Sequence, residues 1–212
     1  MSAEARLREE LCALGRSLFE RALTHGSTGN LSARCGDEWL LTPTGSNLGQ
    51  LDPARLSRLD AEGRLLAGDP PSKEHFLHRA MYQERARNQA VIHLHSTHSV
   101  AVSVLDDIDG DNVLPPLTAY YVMRIGALPL VPYFAPGDLG LAAAVRGFAG
   151  RHHALLLANH GPVVAGSSLS AASDAIEELE ATAKLYLLLQ GQRVRMLTPA
   201  QVAELKVRFP HS

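Results

Sequence analysis

The stretch Val91-Ile92-His93-Leu94-His95-Ser96 sets two histidines inside an otherwise apolar run and constrains the local fold more than any other segment. In a β-strand, residues two apart share a face. A buried strand over Ala90 to His95 therefore sends Ile92 and Leu94 into the core and projects His93 and His95 together. Thr97 to about Leu105 reads as a helix packed behind that strand.

Strand and helix patterns recur along the rest of the chain. Leu7, Leu11, Leu14 and Leu18 form one stripe of an amphipathic helix, with a glycine stop expected near Thr24-His25-Gly26. A polar loop, Gly26 to Asn30, precedes short strands at Leu31 to Ala33 and Trp39 to Thr42, with a turn at Cys35-Gly36-Asp37 between them. Residues 51 to 60 read as a short helix or turn, and Gly63 to Gly68 as a hairpin piece. Ser72 is the expected N-cap of a helix running from Lys73 to about Ala86. Residues 106 to 116 are acidic and proline-marked, hence a loop. Leu128 to Pro132 and Ala154 to Asn159 read as strands, and Pro162 to Ala165 as a continuation of the same sheet. Leu139 to Gly147 reads as a helix, and Ser170 to about Gln190 as a long one. There is no internal repeat or linker, so residues 1–212 are expected to form a single α/β domain.

Composition excludes several classes of function. The formal net charge is -2 and no basic stripe is present, which argues against nucleic acid. No stretch approaches the roughly 20 apolar residues that cross a membrane. The charged start, Glu4 to Glu10, is not a signal peptide. Cys12 and Cys35 are too few for a disulfide framework, so a cytoplasmic location is expected.

Neutral imidazoles side by side on a strand make half of a metal site. His160, in Ala158-Asn159-His160-Gly161-Pro162, ends an apolar strand before a turn and is the third candidate ligand. Three histidines suit zinc, and also manganese, cobalt and nickel to varying degrees, and they leave a coordination position open. From the residues alone, His93-x-His95 is also compatible with an incidental pair. Glu74, in the first turn of its expected helix, is the candidate acid–base group, although the helix dipole alone also accounts for a carboxylate there. His98 reads as a second-layer or capping residue. His75 and His78 read as solvated, His152 and His153 as loop residues, and His25 and His211 as surface residues.

Four separated motifs stand in order: Thr28-Gly29-Asn30-Leu31-Ser32, Thr42-Pro43-Thr44-Gly45, Ser72-Lys73-Glu74 with His93-x-His95, and Asn159-His160-Gly161. In this order and spacing they resemble the class II aldolase/adducin family over about residues 5 to 190. The resemblance implies a three-layer α/β/α sandwich with a mostly antiparallel central sheet, and a homotetramer with active sites between subunits. It implies His93, His95 and His160 as ligands of a divalent metal, zinc first and manganese as another option. It implies Glu74 as general acid/base and as an additional ligand when substrate is absent. Gly29, Asn30, Thr44, Gly45 and Ser72 would hold a substrate phosphate through backbone N–H groups and hydroxyls. Lys73 departs from the second serine common in the aldolases and would serve the phosphate or a substrate carboxylate.

The tract Leu114 to Met123, with Tyr133-Phe134-Ala135-Pro136-Gly137 following, looks closest to the 3-oxo-tetronate 4-phosphate decarboxylases of this family. That likeness implies loss of CO2 from a phosphorylated sugar acid through a metal-stabilised enediolate, giving dihydroxyacetone phosphate. Glu74 or a tyrosine would donate the proton. Tyr120 or Tyr121 of a neighbouring subunit would be that tyrosine, and packing at an interface is the competing expectation for each. Aldol cleavage or 4-epimerisation of a ketose phosphate uses the same enediolate and is the second expectation. A non-catalytic adducin-like binding module is the third.

Overall fold

The computed structural model describes residues 2–135 and 137–209. His211 and Pro136 lie outside that range. One eight-stranded sheet runs through the molecule in the order β4-β3-β2-β1-β5-β8-β7-β6. Its strands are β1 (Asn30–Cys35), β2 (Glu38–Leu41), β3 (Ser57–Leu59), β4 (Leu65–Ala67), β5 (Ala90–His93), β6 (Leu130–Val131), β7 (Ala154–Leu157) and β8 (Gly161–Gly166). Every pairing is antiparallel except β6 with β7.

The helices are α1 (Ala3–Glu20), α2 (His75–Glu84), α3 (Thr97–Ser103), α4 (Ala119–Arg124), α5 (Gly140–Ala149), α6 (Leu169–Leu188) and α7 (Pro199–Arg208). Strand alternation sorts the core into two layers. Ile92, Leu156 and Val164 pack with Leu11, Leu18, Val102, Ile176 and Leu179 on the face covered by α1, α3, α4 and α6. Val91, Leu155, Leu157 and Val163 pack with Leu77, Met81, Leu141 and Val145 on the face covered by α2 and α5. The fold is thus a three-layer α/β/α sandwich with a mostly antiparallel sheet. All four β5 residues are buried because both faces are covered. Each fully buried aliphatic side chain contributes about 1.5–3 kcal/mol, so the centre of the sheet is the most firmly held part of the fold.

The local differences from the sequence reading have physical causes. Helix α1 ends well before Gly26: Ala22 takes a φ of 58°, while Ala22 N–H donates to Phe19 C=O and Leu23 N–H to Leu18 C=O. This pair of hydrogen bonds satisfies the terminal carbonyls and folds Leu23 back onto the core, which offsets the roughly 1–2 kcal/mol disfavour of a left-handed alanine. Helix α2 starts at His75, with Glu74 rather than Ser72 at the N-cap position, and the Glu74 side chain does not cap. Ser72 Oγ instead accepts from Glu74 N–H at 3.2 Å, closing a turn ahead of the helix. Residues 51 to 60, expected as a short helix or turn, hold a 3-10 turn (Pro53–Arg55) and then the unexpected strand β3. Helices α4 and α7 were not expected. The second carries a readable signal, a capping box between Thr198 and Gln201 with proline in the first turn.

Candidate metal centre

Register brings the donors together. Asn30 of β1 pairs with His93 of β5, and His93 has the parity of Val91, on the side covered by α2. The N-terminus of α2 therefore sets Glu74 against His93. The β7–β8 hairpin supplies the remaining ligand. Asn159 takes a φ of 55° in its turn, a conformation asparagine tolerates better than most residues. Gly161 then passes so close to β5 that a Cβ there would lie 2.3 Å from Leu94 O. Only a residue without a side chain allows that approach, and it delivers His160 beside His95. Gly29 acts similarly just ahead of β1, since its Cβ would lie 2.8 Å from His93 O at a φ of +77°.

Glu74, His93, His95 and His160 each offer one ligand atom, all within 4.8 Å of one another. His160 Nε2 lies 3.0 Å from Glu74 Oε1, His93 Nε2 3.5 Å from Glu74 Oε2, and His95 Nε2 3.1 Å from His93 Nε2. A tetrahedral zinc with ligands near 2.0–2.1 Å has donor–donor edges of about 3.3–3.4 Å, and these three separations are close to that length.

The electrostatics also fit. His93 is fully buried and donates its Nδ1–H to Pro162 C=O at 2.9 Å. That bond fixes the tautomer and leaves the Nε2 lone pair facing the cluster. Burial, reinforced by His160, lowers the His93 pKa against the pull of Glu74. Burial, His93 and His160 lower His95 to about 3. Both rings are therefore neutral near pH 7, the form that binds metal. Burial alone would raise the Glu74 carboxyl; neighbouring His93, with hydrogen bonds from His160 and Asn30, outweighs it and holds the group well below the usual carboxylate range.

The cluster opens into a cavity of about 830 Å³. Gly29, Asn30, Thr44, Gly45, Ser72 and Lys73 line it, as do Glu74, His95 and His160. Two loops form one wall, tied by Thr44 N–H to Pro70 C=O and Ser72 N–H to Thr42 C=O. Ser72 Oγ accepts from both Asn30 Nδ2 and Glu74 N–H, which leaves its own hydroxyl hydrogen available. Asn30 lines the cavity, and its amide N–H groups reach Glu74 and Ser72.

Neither candidate tyrosine lines this cavity. Tyr121 is wholly buried, with its hydroxyl on Asn112, and burial raises its pKa. Tyr120 is 58% exposed beside Arg124. The wall contains instead Tyr133, Phe134, Thr97 and Val100, which the sequence reading did not assign to a site. His25 is exposed, as expected, and also lines the cavity. His78 is fully buried, not solvated. His98 and Ser99 donate to Glu180, which caps the start of α3.

Residues 9–187 match the family described as Class II Aldolase and Adducin N-terminal domain. The chain belongs to the class II aldolase/adducin family. Among members of this metal-dependent family, it is 50% identical over 204 residues to 3-oxo-tetronate 4-phosphate decarboxylase of Escherichia coli O6:H1, covering 96% of each chain. It is 35% identical to L-fuculose phosphate aldolase of Methanocaldococcus jannaschii, over 85% of this chain and 96% of that one. Among solved structures, YgbL from Escherichia coli superposes with a TM-score of 0.95 at 48% identity, covering 97% of this chain and all of the other. An L-fuculose 1-phosphate aldolase superposes with a TM-score of 0.88 at 27% identity, over 100% of this chain and 98% of that one. Among the described residues, no helix is long and apolar enough to cross a membrane.

Proposed function

We propose that this chain is a carboxy-lyase that converts 3-oxo-tetronate 4-phosphate to dihydroxyacetone phosphate and CO2. The observation that carries this reading is 50% identity, over 96% of both chains, to a decarboxylase of that name. The cavity supports it, since its four-donor cluster and the loops proposed to take the phosphate line the same chamber.

His93, His95 and His160, with Glu74 when substrate is absent, would hold a divalent metal. Zinc is the choice best matched to three imidazoles, and manganese is the alternative. When bound, the metal supplies Lewis-acid stabilisation of negative charge developing on the substrate oxygens. The substrate phosphate would rest on Gly29, Thr44, Gly45 and Ser72, with Lys73 at the rim to neutralise phosphate or carboxylate charge.

In the reaction the C1–C2 bond breaks, CO2 leaves, and its electron pair stays on C2, delocalised toward the C3 oxygen. Glu74, held ionised, is suited to accept the C2 hydroxyl proton as that enediolate forms and to return it afterwards. The proton that replaces the carboxylate at C2 would come from a tyrosine of a neighbouring copy and be restored from solvent. Tyr120 suits this role better than Tyr121, because it is exposed at the surface while Tyr121 is enclosed. This requires an oligomer, which we propose to be a homotetramer with interfacial sites.

A coupled assay of zinc-loaded protein tests the reading, with 3-oxo-tetronate 4-phosphate and a ketulose 1-phosphate as parallel substrates. Dihydroxyacetone phosphate from the first and little from the second is the expected result. The reverse preference would make the chain an aldolase acting through the same enediolate.

A further inference from the structure

Helix α2 carries more polar chemistry than Glu74. Glu74, His78 and Tyr82 recur every four residues and so stack on one helix face. Opposite them stand Asn30, Ser32 and Arg34, alternate residues of β1. A continuous chain of contacts joins the two rows. The Tyr82 hydroxyl lies 2.8 Å from Ser32 Oγ, and Ser32 Oγ lies 2.7 Å from His78 Nδ1. His78 Nε2 meets Asn30 Oδ1, and Asn30 Nδ2 lies 2.8 Å from Glu74 Oε2.

The direction of every bond follows from one end. An ionised carboxylate only accepts, so Asn30 must turn its N–H to Glu74 and its carbonyl to His78. That carbonyl only accepts, so His78 Nε2 must carry the ring hydrogen. His78 Nδ1 is then bare and takes the Ser32 hydroxyl hydrogen, and Ser32 Oγ accepts from Tyr82. His78 and Ser32 are both fully buried, so water cannot substitute for any of these partners.

We infer that His78 is a positioning residue, whose Nε2–H locks the Asn30 amide with its N–H, not its carbonyl, against Glu74. A flipped amide would set one oxygen against another at the metal centre. Burial holds the His78 pKa at about 3, so the ring stays neutral and its tautomer is the variable that matters. The same geometry directs Asn30 to the carboxylate rather than to substrate phosphate. The inference rests on the proposed metal centre but not on the proposed substrate.

Two measurements test it. Nitrogen-15 NMR of histidine-labelled protein, with His78→Gln to assign the signal, should show a neutral His78 ring protonated at Nε2 at pH 7. An Nδ1-protonated ring would overturn the inference. Chelator competition with zinc then compares variants whose fold is checked by circular dichroism. His78→Leu should weaken zinc binding about tenfold, the low end of the effect of removing an outer-layer partner. His78→Gln, which keeps an N–H able to reach Asn30, should recover most of that loss. In an Asn30→Ala background, His78→Leu should add nothing. Unchanged zinc affinity in folded His78→Leu, or full additivity with Asn30→Ala, contradicts the assignment. Zinc binding involves no sugar acid, so a failure of the decarboxylase assay alone would remove the substrate reading and leave this one intact.

Discussion

His160 Nε2 lies 3.0 Å from Glu74 Oε1, so the turn of the β7–β8 hairpin and the start of α2 converge on one point above β5. Neither residue is near the other in sequence, and the contact depends on the close passage of Gly161 over Leu94.

Gly161→Ala should damage that convergence. Its Cβ would sit 2.3 Å from a backbone oxygen that cannot rotate away. The expected destabilisation is about 1–3 kcal/mol, with a larger proportional loss of metal affinity as His160 is displaced. Thermal melts with and without zinc measure both; a wild-type melting temperature would show that the passage is not tight.

His93→Ala removes the most buried ligand, together with its bond to Pro162. Metal content after purification and dialysis should fall to a small fraction of wild type, and activity with it. Full metal occupancy in the variant would remove His93 from the ligand set.

Glu74→Gln preserves shape and removes the charge that His93, His160 and Asn30 stabilise. Turnover should drop by about 10²–10⁴, the usual range for losing a positioned acid–base group, while zinc remains bound. Steady-state kinetics with metal analysis gives the answer, and wild-type turnover would reject the role.

Acid should destabilise the metal-free protein. Burial holds His78 and His95 at about 3 in the folded state, whereas the unfolded chain titrates near 6.5. Between these values the unfolded state binds more protons, so this stability is complete above about pH 6.5 and is lost as pH falls toward 3. One such histidine contributes a slope of about 1.4 kcal/mol per pH unit. Denaturant midpoints at pH 7 and 5.5 should differ accordingly, and His78→Gln should flatten the slope. Equal midpoints in the wild type would contradict the buried neutral state.

The central architecture was legible because the informative residues are local. Period-two spacing in β5 and the leucine stripe of α1 each reveal burial within a few residues. The donors His93, His95 and His160 and the glycine loops could be selected as separate motifs, and their order and spacing matched a family. What escaped the sequence depends on packing between distant segments. The cavity position of His25, Tyr133 and Phe134 requires the loops to be folded around the chamber. The burial of His78 and Tyr121 was hidden for the same reason, since the residues that enclose them come from other segments. The His78 case had an unread signal. Glu74, His78 and Tyr82 at four-residue spacing face Asn30 and Ser32 at two-residue spacing, a match between helix and strand periods that only pairing the two elements makes visible.

The most direct measurement follows the fate of C1 in 3-oxo-tetronate 4-phosphate labelled there with carbon-13. Zinc-loaded protein should release labelled CO2 and unlabelled dihydroxyacetone phosphate in equal amounts, stop on chelation and recover when zinc is restored. Retention of the label in unchanged substrate, alongside cleavage of a ketulose 1-phosphate, would contradict decarboxylation as the reaction of this site.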